Sequence, residues 1–456
     1  MNTYIVVGVI LVGLVALLAT NKKLVETLKN IYKIEELRSR ILFTLGLLLI
    51  YRLGSFVTLP GVDHAVLQQW TQNFASDSSS LMGLLNIFSG GAFSQASIFA
   101  LGVMPYITAS IIIQLLGIMV PYFRKMQREG ESGRRRMNQW TRFLTIAVLL
   151  LQAPAYLATQ VISSGAVSVT GDFLGITHGQ FIVPAVIILI AGTMFIMWLG
   201  EKITDKGIGN GISLIIMIGI VARLPQSFLQ EFMFQTTGGG SIIMLLVELI
   251  FLALVFMLAI AIVQAVRKIP VQYAKRIVGN KQYGGVRQYI PLKLNAANVM
   301  PIIFAQALMF IPGLIWGGQW LDITSFWYNF TLVVLVIAFT YFYTAIIVNP
   351  QMMADDMKRN GGFIPGVKPG KSTVTYIDNI MTRITLPGSV FLAIITILPA
   401  IAMTLGITQG FAYFFGGTSL LIMVGVVLDT LKQIESYLLM RHYDGLMKTG
   451  RIQGRY

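Results

Sequence analysis

The chain has 456 residues, 55% of them hydrophobic and 12% charged, with a mean hydropathy of +0.73; a soluble domain carries about 25% charged residues, so an ordinary globular enzyme is excluded. Its net charge of +15, from 34 Lys and Arg against 19 Asp and Glu, calls for a membrane topology, an anionic partner, or both. Zero cysteines exclude disulfides, iron–sulfur clusters and thiolate zinc sites, and His64, His178 and His442 are too far apart in sequence to suggest a metal cluster.

A helix that crosses a bilayer takes roughly 20 apolar residues, and the chain contains eleven apolar runs of about that kind. The first, near 4–20, has no basic stretch before it and no Ala-x-Ala site after it, so residues 1–21 read as an extra N-terminal span rather than a signal peptide. Runs near 41–58, 95–120, 143–162, 181–199 and 212–224 come next, and then runs near 242–266, 297–316, 329–349, 387–407 and 415–431. All are too long for strands and lack the alternation of an outer-membrane barrel. The pattern predicts an all-α polytopic membrane protein.

The segments between the runs sort by charge. Residues 21–40, 124–142, 200–211, 267–293, 350–383 and 432–455 hold 32 of the 34 Lys and Arg, leaving only Arg52 and Arg223. The intervening segments 59–94, 163–180, 225–241, 317–328 and 408–414 have none, but carry Asp63, Asp77, Asp172, Glu231 and Asp322. Because cytoplasmic loops retain Lys and Arg, this predicts an outer N-terminus and a cytoplasmic C-terminus. The segments 124–142 and 267–294 each carry seven basic residues, more than orientation needs, and predict a cytoplasmic docking partner with an acidic or phosphate-rich surface.

Val103-Met104-Pro105 returns as Val299-Met300-Pro301, each in the second run of a group of five. An odd number of spans per group predicts two halves, 22–236 and 237–456, in inverted orientation with a functional path between them. Ahead of the 95–120 run, Leu84 to Ser94 is apolar, too short to span and broken at Gly90-Gly91; a short segment folded back into the protein fits it. Gly207-Ile208-Gly209-Asn210-Gly211 has the glycines of a phosphate loop but no closing Gly-Lys-Ser/Thr, and reads as a tight turn. Most runs contain no ionisable residue, with Glu248 and Asp429 near span ends. A secondary transporter with inverted repeats is the principal alternative, but it wants midplane charges; a membrane-embedded transferase wants convergent carboxylates or histidines. Helix spacing instead aligns aliphatic residues: Val103, Ile107 and Ile111; Ile212 and Ile216; Val299 and Ile303.

Four stretches resemble the SecY family: Gly90-Gly-Ala-Phe-Ser-Gln-Ala-Ser-Ile-Phe-Ala-Leu-Gly-Val-Met-Pro-Tyr-Ile, Glu129-Gly-Glu-Ser-Gly-Arg-Arg, Trp198-Leu-Gly-Glu-Lys-Ile-Thr-Asp-Lys-Gly-Ile-Gly-Asn-Gly-Ile-Ser and Phe415-Gly-Gly-Thr-Ser-Leu-Leu-Ile. The resemblance runs from about Lys22 to the C-terminus and implies a ten-helix clamshell of two inverted five-helix halves. It implies a passive, non-enzymatic pore of the Sec translocon, for secretion of unfolded polypeptides and lateral insertion of membrane proteins, with no cofactor and no catalytic residue. Matched residue by residue, it implies a pore ring of Val103, Ile107, Ile212, Ile216, Ile303 and Ile422, and a plug over Leu84, Leu85, Asn86, Ile87, Phe88, Ser89, Gly90 and Gly91. Motor or ribosome docking falls to Arg276, Lys281, Arg287, Lys358 and Lys368. Lys368 departs from the family, which commonly has Arg there; a lysine keeps the charge but loses the planar fork. The implied partners are SecE, SecG, the SecA motor ATPase, the ribosome, signal peptides with their unfolded preproteins, and lipid, in a bacterial cytoplasmic membrane.

Overall fold

The computed structural model describes residues 34–63, 65–67, 86, 89–167, 178–237, 241–273, 276–278, 281–283, 287–316 and 323–448. The extra N-terminal span expected over 1–21 lies outside them. Each of the ten later apolar runs contributes to a helix. Among the described residues seven helices are long and apolar enough to cross a membrane, or eight if one sharply bent pair counts as a single span.

The described residues divide into two compact units, one reaching Leu229 and resuming at Val426, the other running from Gln230 to Gly425. The first unit opens with α1 (Glu35–Gly54). Next come α2 (Met104–Met119), α3 (Pro121–Arg128) and α4 (Glu131–Tyr156), with α4 passing into a π-helical turn, Leu157–Ile162. Pro154 removes an N–H from the ladder just before that turn, the usual origin of such a widening. After it come α5 (His178–Lys206) and α6 (Gly211–Thr237). Helix α2 packs on α4, α4 on α5, and α1 on α5. A buried cluster including Leu59, Ala96, Ala153, Tyr156, Leu157, Phe181 and Leu189 packs α4 and α5 against the segments around 59 and 96.

The 95–120 run is not one helix, although its hydropathy predicts one. Helix begins only at Met104, and residues 89–103 form a chain of turns. Their backbone groups are satisfied by other segments: the Ile98 N–H donates to the Val57 carbonyl and the Leu59 N–H to the Ala96 carbonyl, both at 2.9 Å. Phe99 stacks between Tyr51 and Phe195, each ring 6.0 Å away. A Cβ on Gly54 would fall 2.1 Å from the Phe99 ring, and one on Gly192 2.1 Å from the Ile98 carbonyl oxygen. Two bare glycines on α1 and α5 thus make room for an apolar but irregular strap, which hydropathy alone cannot tell from a helix.

The Gly207 to Gly211 turn joins α5 to α6. The Ile208 N–H donates to Thr44 Oγ1 of α1 at 3.1 Å, the Gly211 N–H to Thr204 Oγ1 at 2.9 Å, and the Gly209 N–H to Gln433 Oε1 at 2.7 Å. Gly209 has φ +83°, and a Cβ on Gly211 would sit 2.0 Å from the Gly200 carbonyl, so glycine is required at both positions. No phosphate cradle is needed to explain the motif.

The second unit holds α7 (Ile242–Gln264), α8 (Met300–Trp316), α9 (Phe326–Ile347), α10 (Pro350–Arg359), α11 (Lys371–Thr404) and α12 (Gln409–Ala412). It also takes the start of α13 (Gly417–Lys448). Helix α9 packs on both α8 and α11. Between α7 and α8, where the charge pattern predicts a basic loop, the chain forms β1 (Val266–Tyr273), β2 (Arg276–Val278), β3 (Lys281–Tyr283) and β4 (Arg287–Lys293). Strand β1 pairs antiparallel with β4 from Val266 opposite Lys293 to Gln272 opposite Arg287, and its other edge takes β5 (Gly362–Phe363). Alternation supplies the reason: Ile269, Val271 and Leu292 turn inward onto Met357, Ile364, Ile377 and Met381, forming a core of their own.

This unit also buries two carboxylates. Glu231, in the last turns of α6, accepts the Thr408 N–H at 2.8 Å, the Thr408 hydroxyl, and the Gln235 amide at 2.8 Å. The same amide nitrogen donates to Glu248 Oε1 on α7 at 3.1 Å, while Glu248 Oε2 is buried without a partner.

Candidate functional site

The six aliphatic ring residues all occupy the start of a helix. Val103 immediately precedes α2 and Ile107 lies one turn on, the Ile107 N–H donating to the Val103 carbonyl at 3.0 Å. Ile212 and Ile216 occupy the opening turns of α6, Ile303 the first turn of α8, and Ile422 the second turn of α13. Val103, Ile216 and Ile422 are buried, whereas Ile107, Ile212 and Ile303 are half-buried. The repeated Val-Met-Pro falls at the same structural place twice: Met104 and Met300 are first helical residues and Pro105 and Pro301 second, where a missing N–H costs nothing. No charged side chain stands in the first two turns of α2, α6, α8 or α13. In the first unit the structure sets Val103 with Ile107 and Ile212 with Ile216 on two helices. In the second, the helices of Ile303 and Ile422 meet where Thr418 Oγ1 lies 3.5 Å from Gln306 Oε1.

Of the eight plug residues, Leu84, Leu85, Ile87 and Phe88 lie outside the described residues. Asn86, Ser89, Gly90 and Gly91 form a compact hydrogen-bonded turn together with Phe93 and Ser94. The Gly91 N–H donates to the Asn86 carbonyl at 2.9 Å, the Phe93 N–H to Ser89 Oγ at 3.0 Å, and the Ser94 N–H to Asn86 Oδ1 at 3.2 Å. Gly90 and Gly91 have φ +65° and +95°, a left-handed pair that glycine adopts without strain.

The basic residues expected to dock a partner belong to the second unit. Arg276 and Lys281 lie on the β2–β3 ribbon, Arg287 opens β4 opposite Gln272, and Lys358 is exposed near the end of α10. Lys368 is exposed too, its carbonyl accepting the Thr373 hydroxyl at 3.0 Å just inside α11. Arg276, Lys281 and Arg287 therefore fall on strands and Lys358 on a helix, while Lys368 lies in the turn ahead of α11.

Arg52 and Arg223, the two arginines outside the charge pattern, both reach the Gly90–Gly91 turn from α1 and α6. Arg52 Nη1 donates to the Gly90 carbonyl at 2.8 Å, and Arg223 Nη2 lies 3.5 Å from Ser94 Oγ. The signal is present as an exception: a basic residue on the wrong side of a sorted chain has a local reason to be there.

A SecY family model matches residues 97–431 of the chain. The protein translocase subunit SecY of Streptomyces galbus is 42% identical over 438 residues, covering 91% of this chain and 98% of the relative. That of Mycobacterium tuberculosis is 42% identical over 438 residues, covering 91% and 97%. Among solved structures, a protein-conducting channel matches with a TM-score of 0.59 at 19% identity, over 87% of this chain and 91% of the other. Sec61 in the canine ribosome–channel complex matches with a TM-score of 0.55 at 18% identity, over the same shares.

Proposed function

The chain belongs to the SecY family, and from that premise we propose how this pore-forming subunit of a protein translocase seals and opens its channel. The ring of Val103, Ile107, Ile212, Ile216, Ile303 and Ile422 forms the constriction, and the segment 84–91 closes it from the outer side. The observation that carries the reading is the chemistry of those helix starts: aliphatic at every ring position, with no charged group in the opening turns. Such a constriction excludes water and ions by dewetting. It offers a passing peptide no hydrogen bond to hold it, and branched aliphatic side chains can shift around bulky residues.

In the same reading, two inverted five-helix halves open sideways to release apolar segments into lipid. The chain hydrolyses nothing itself; energy comes from a SecA-type motor or a translating ribosome at the β2–β3 ribbon bearing Arg276 and Lys281, at Arg287 on β4, and at Lys358 and Lys368. SecE and SecG complete the complex in a bacterial cytoplasmic membrane, with the C-terminus of this chain on the cytoplasmic side.

Changing Ile107 and Ile303 together to Asn tests the ring. Single-channel recordings on the purified complex are expected to show a raised resting conductance, while Ile to Leu at both positions stays tight. A folded double Asn variant that remains ion-tight would overturn the assignment; loss of protein without a leak would mark these residues as packing alone.

A further inference from the structure

We infer that Arg52 and Arg223 are positioning residues that hold the plug shut by gripping its Gly90–Gly91 turn, an inference that rests on reading 84–91 as the plug. The two come from far-separated helices, α1 and α6, and meet the same few residues. Arg52 Nη1 donates to the Gly90 carbonyl at 2.8 Å and lies 3.4 Å from Ser55 Oγ, and its guanidinium carbon stands 4.6 Å from the centre of the Phe56 ring. These contacts fix the fork in one orientation, with the carbonyl at its tip.

Arg223 approaches from the other helix. Its guanidinium runs along the bare Cα of Gly91, where an added Cβ would fall 3.2 Å from both Nε and Nη2, and Nη2 reaches Ser94 Oγ. The turn is also pressed against α6 itself, since a Cβ on Gly90 would lie 2.9 Å from Gly219 Cα. Both glycines therefore have two functions: they adopt the left-handed backbone and they admit two guanidinium groups at contact distance.

Three observations separate a grip on the turn from ordinary satisfaction of surface charge. Neither arginine is paired with a carboxylate among the described residues. Both are half-buried, so each holds its charge away from bulk water for contacts made with this turn. Two cations directed at one turn also repel each other. An Arg in the last turn of α1 complements that helix's dipole, which accounts for a charge near residue 52 but not for its bond to Gly90, nor for Arg223. A charge-assisted bond to a backbone carbonyl holds a segment of any side-chain sequence, and it is broken when the turn moves out by little more than an ångström. The grip is thus on the Gly90–Gly91 turn, through short-range bonds that can break and reform.

The experiment is resting conductance of the reconstituted translocase carrying Arg52→Met, Arg223→Met, both, or Arg52→Lys, each also made in a channel lacking 84–91. The double Met variant is expected to raise the open probability of the idle channel by about tenfold or more, the factor that comes from losing one charge-assisted hydrogen bond, with unchanged thermal stability of the complex. Arg52→Lys, which keeps the charge and can still reach the carbonyl, is expected to fall between. In the channel without 84–91 the arginine changes are expected to add nothing. Folded Met variants as tight as the parent, alongside a leaking deletion, overturn the inference and leave the plug reading intact. Additive leaks in the deletion channel also overturn it, because the arginines would then act elsewhere. A deletion channel that stays tight defeats the plug reading itself. Should the double Met variant fail to fold, the single Gln variants of each arginine carry the same comparison.

Discussion

The two units hold opposite charges for opposite partners, half-buried in the first and fully buried in the second. In the first, Arg52 and Arg223 donate to a carbonyl and approach a hydroxyl of a glycine turn. In the second, Glu231 accepts a backbone N–H, a hydroxyl and an amide, fixing Thr408 ahead of the short α12, and its neighbour Glu248 keeps one oxygen without a partner. Guanidinium contacts at the edge of a turn can be made and lost singly. A fully buried carboxylate with three donors cannot lose one without leaving polar groups stranded. The difference separates a releasable contact from a permanent one, and it is read from burial and donor number rather than from the sign of the charge.

The strongest test of that distinction is Glu231→Ala, which strands the Thr408 N–H and hydroxyl and leaves the Gln235 amide with Glu248 alone. It is expected to destabilise the protein by about 3 kcal/mol or more, seen as a lowered unfolding temperature and early proteolysis near residue 408. A stability loss under about 1 kcal/mol would contradict a permanent tie. Glu248→Gln probes the same cluster in the opposite direction. It replaces a buried, half-satisfied carboxylate with a neutral amide of the same shape, and thermal unfolding should show no loss or a gain of about 1 kcal/mol. The smallest effect is expected at Arg142, which pairs with Glu201 at 2.6 Å while their side chains remain 45% and 32% exposed. Water already solvates that pair, so Arg142→Ala should cost about 0–1 kcal/mol; a larger value would mean that exposure is not what sets the scale.

The helices are legible in the sequence because each apolar run is long, and Val103-Met104-Pro105 and Val299-Met300-Pro301 fit helix starts because a proline in the first turn removes no ladder hydrogen bond. Residues 95–103 mislead because hydropathy reports burial, and a strap held by Gly54 and Gly192 is as buried as a helix. The sheet at 266–293 is hidden for the converse reason: Ile269, Val271 and Leu292 are too few among charged neighbours to register in a long window, and only their period of two reveals them. At the candidate site, the aliphatic helix faces and the break at Gly90-Gly91 show in the residues themselves, whereas their roles as ring and plug come only from resemblance. The two arginines are visible only as departures from the positive-inside pattern, with no spacing to connect residue 52 to residue 223.

The Gly207 to Gly211 turn bears on how the molecule is made. Its middle amide, Gly209, is capped by Gln433, a residue synthesised after the whole of the second unit. While the chain is being made, α5 and α6 can insert, but that amide has no acceptor until the final helix arrives. The first unit is therefore the last to be finished. In a nascent chain truncated before α13 the Ile208 and Gly211 amides would already have Thr44 and Thr204, and only the Gly209 amide would wait for Gln433.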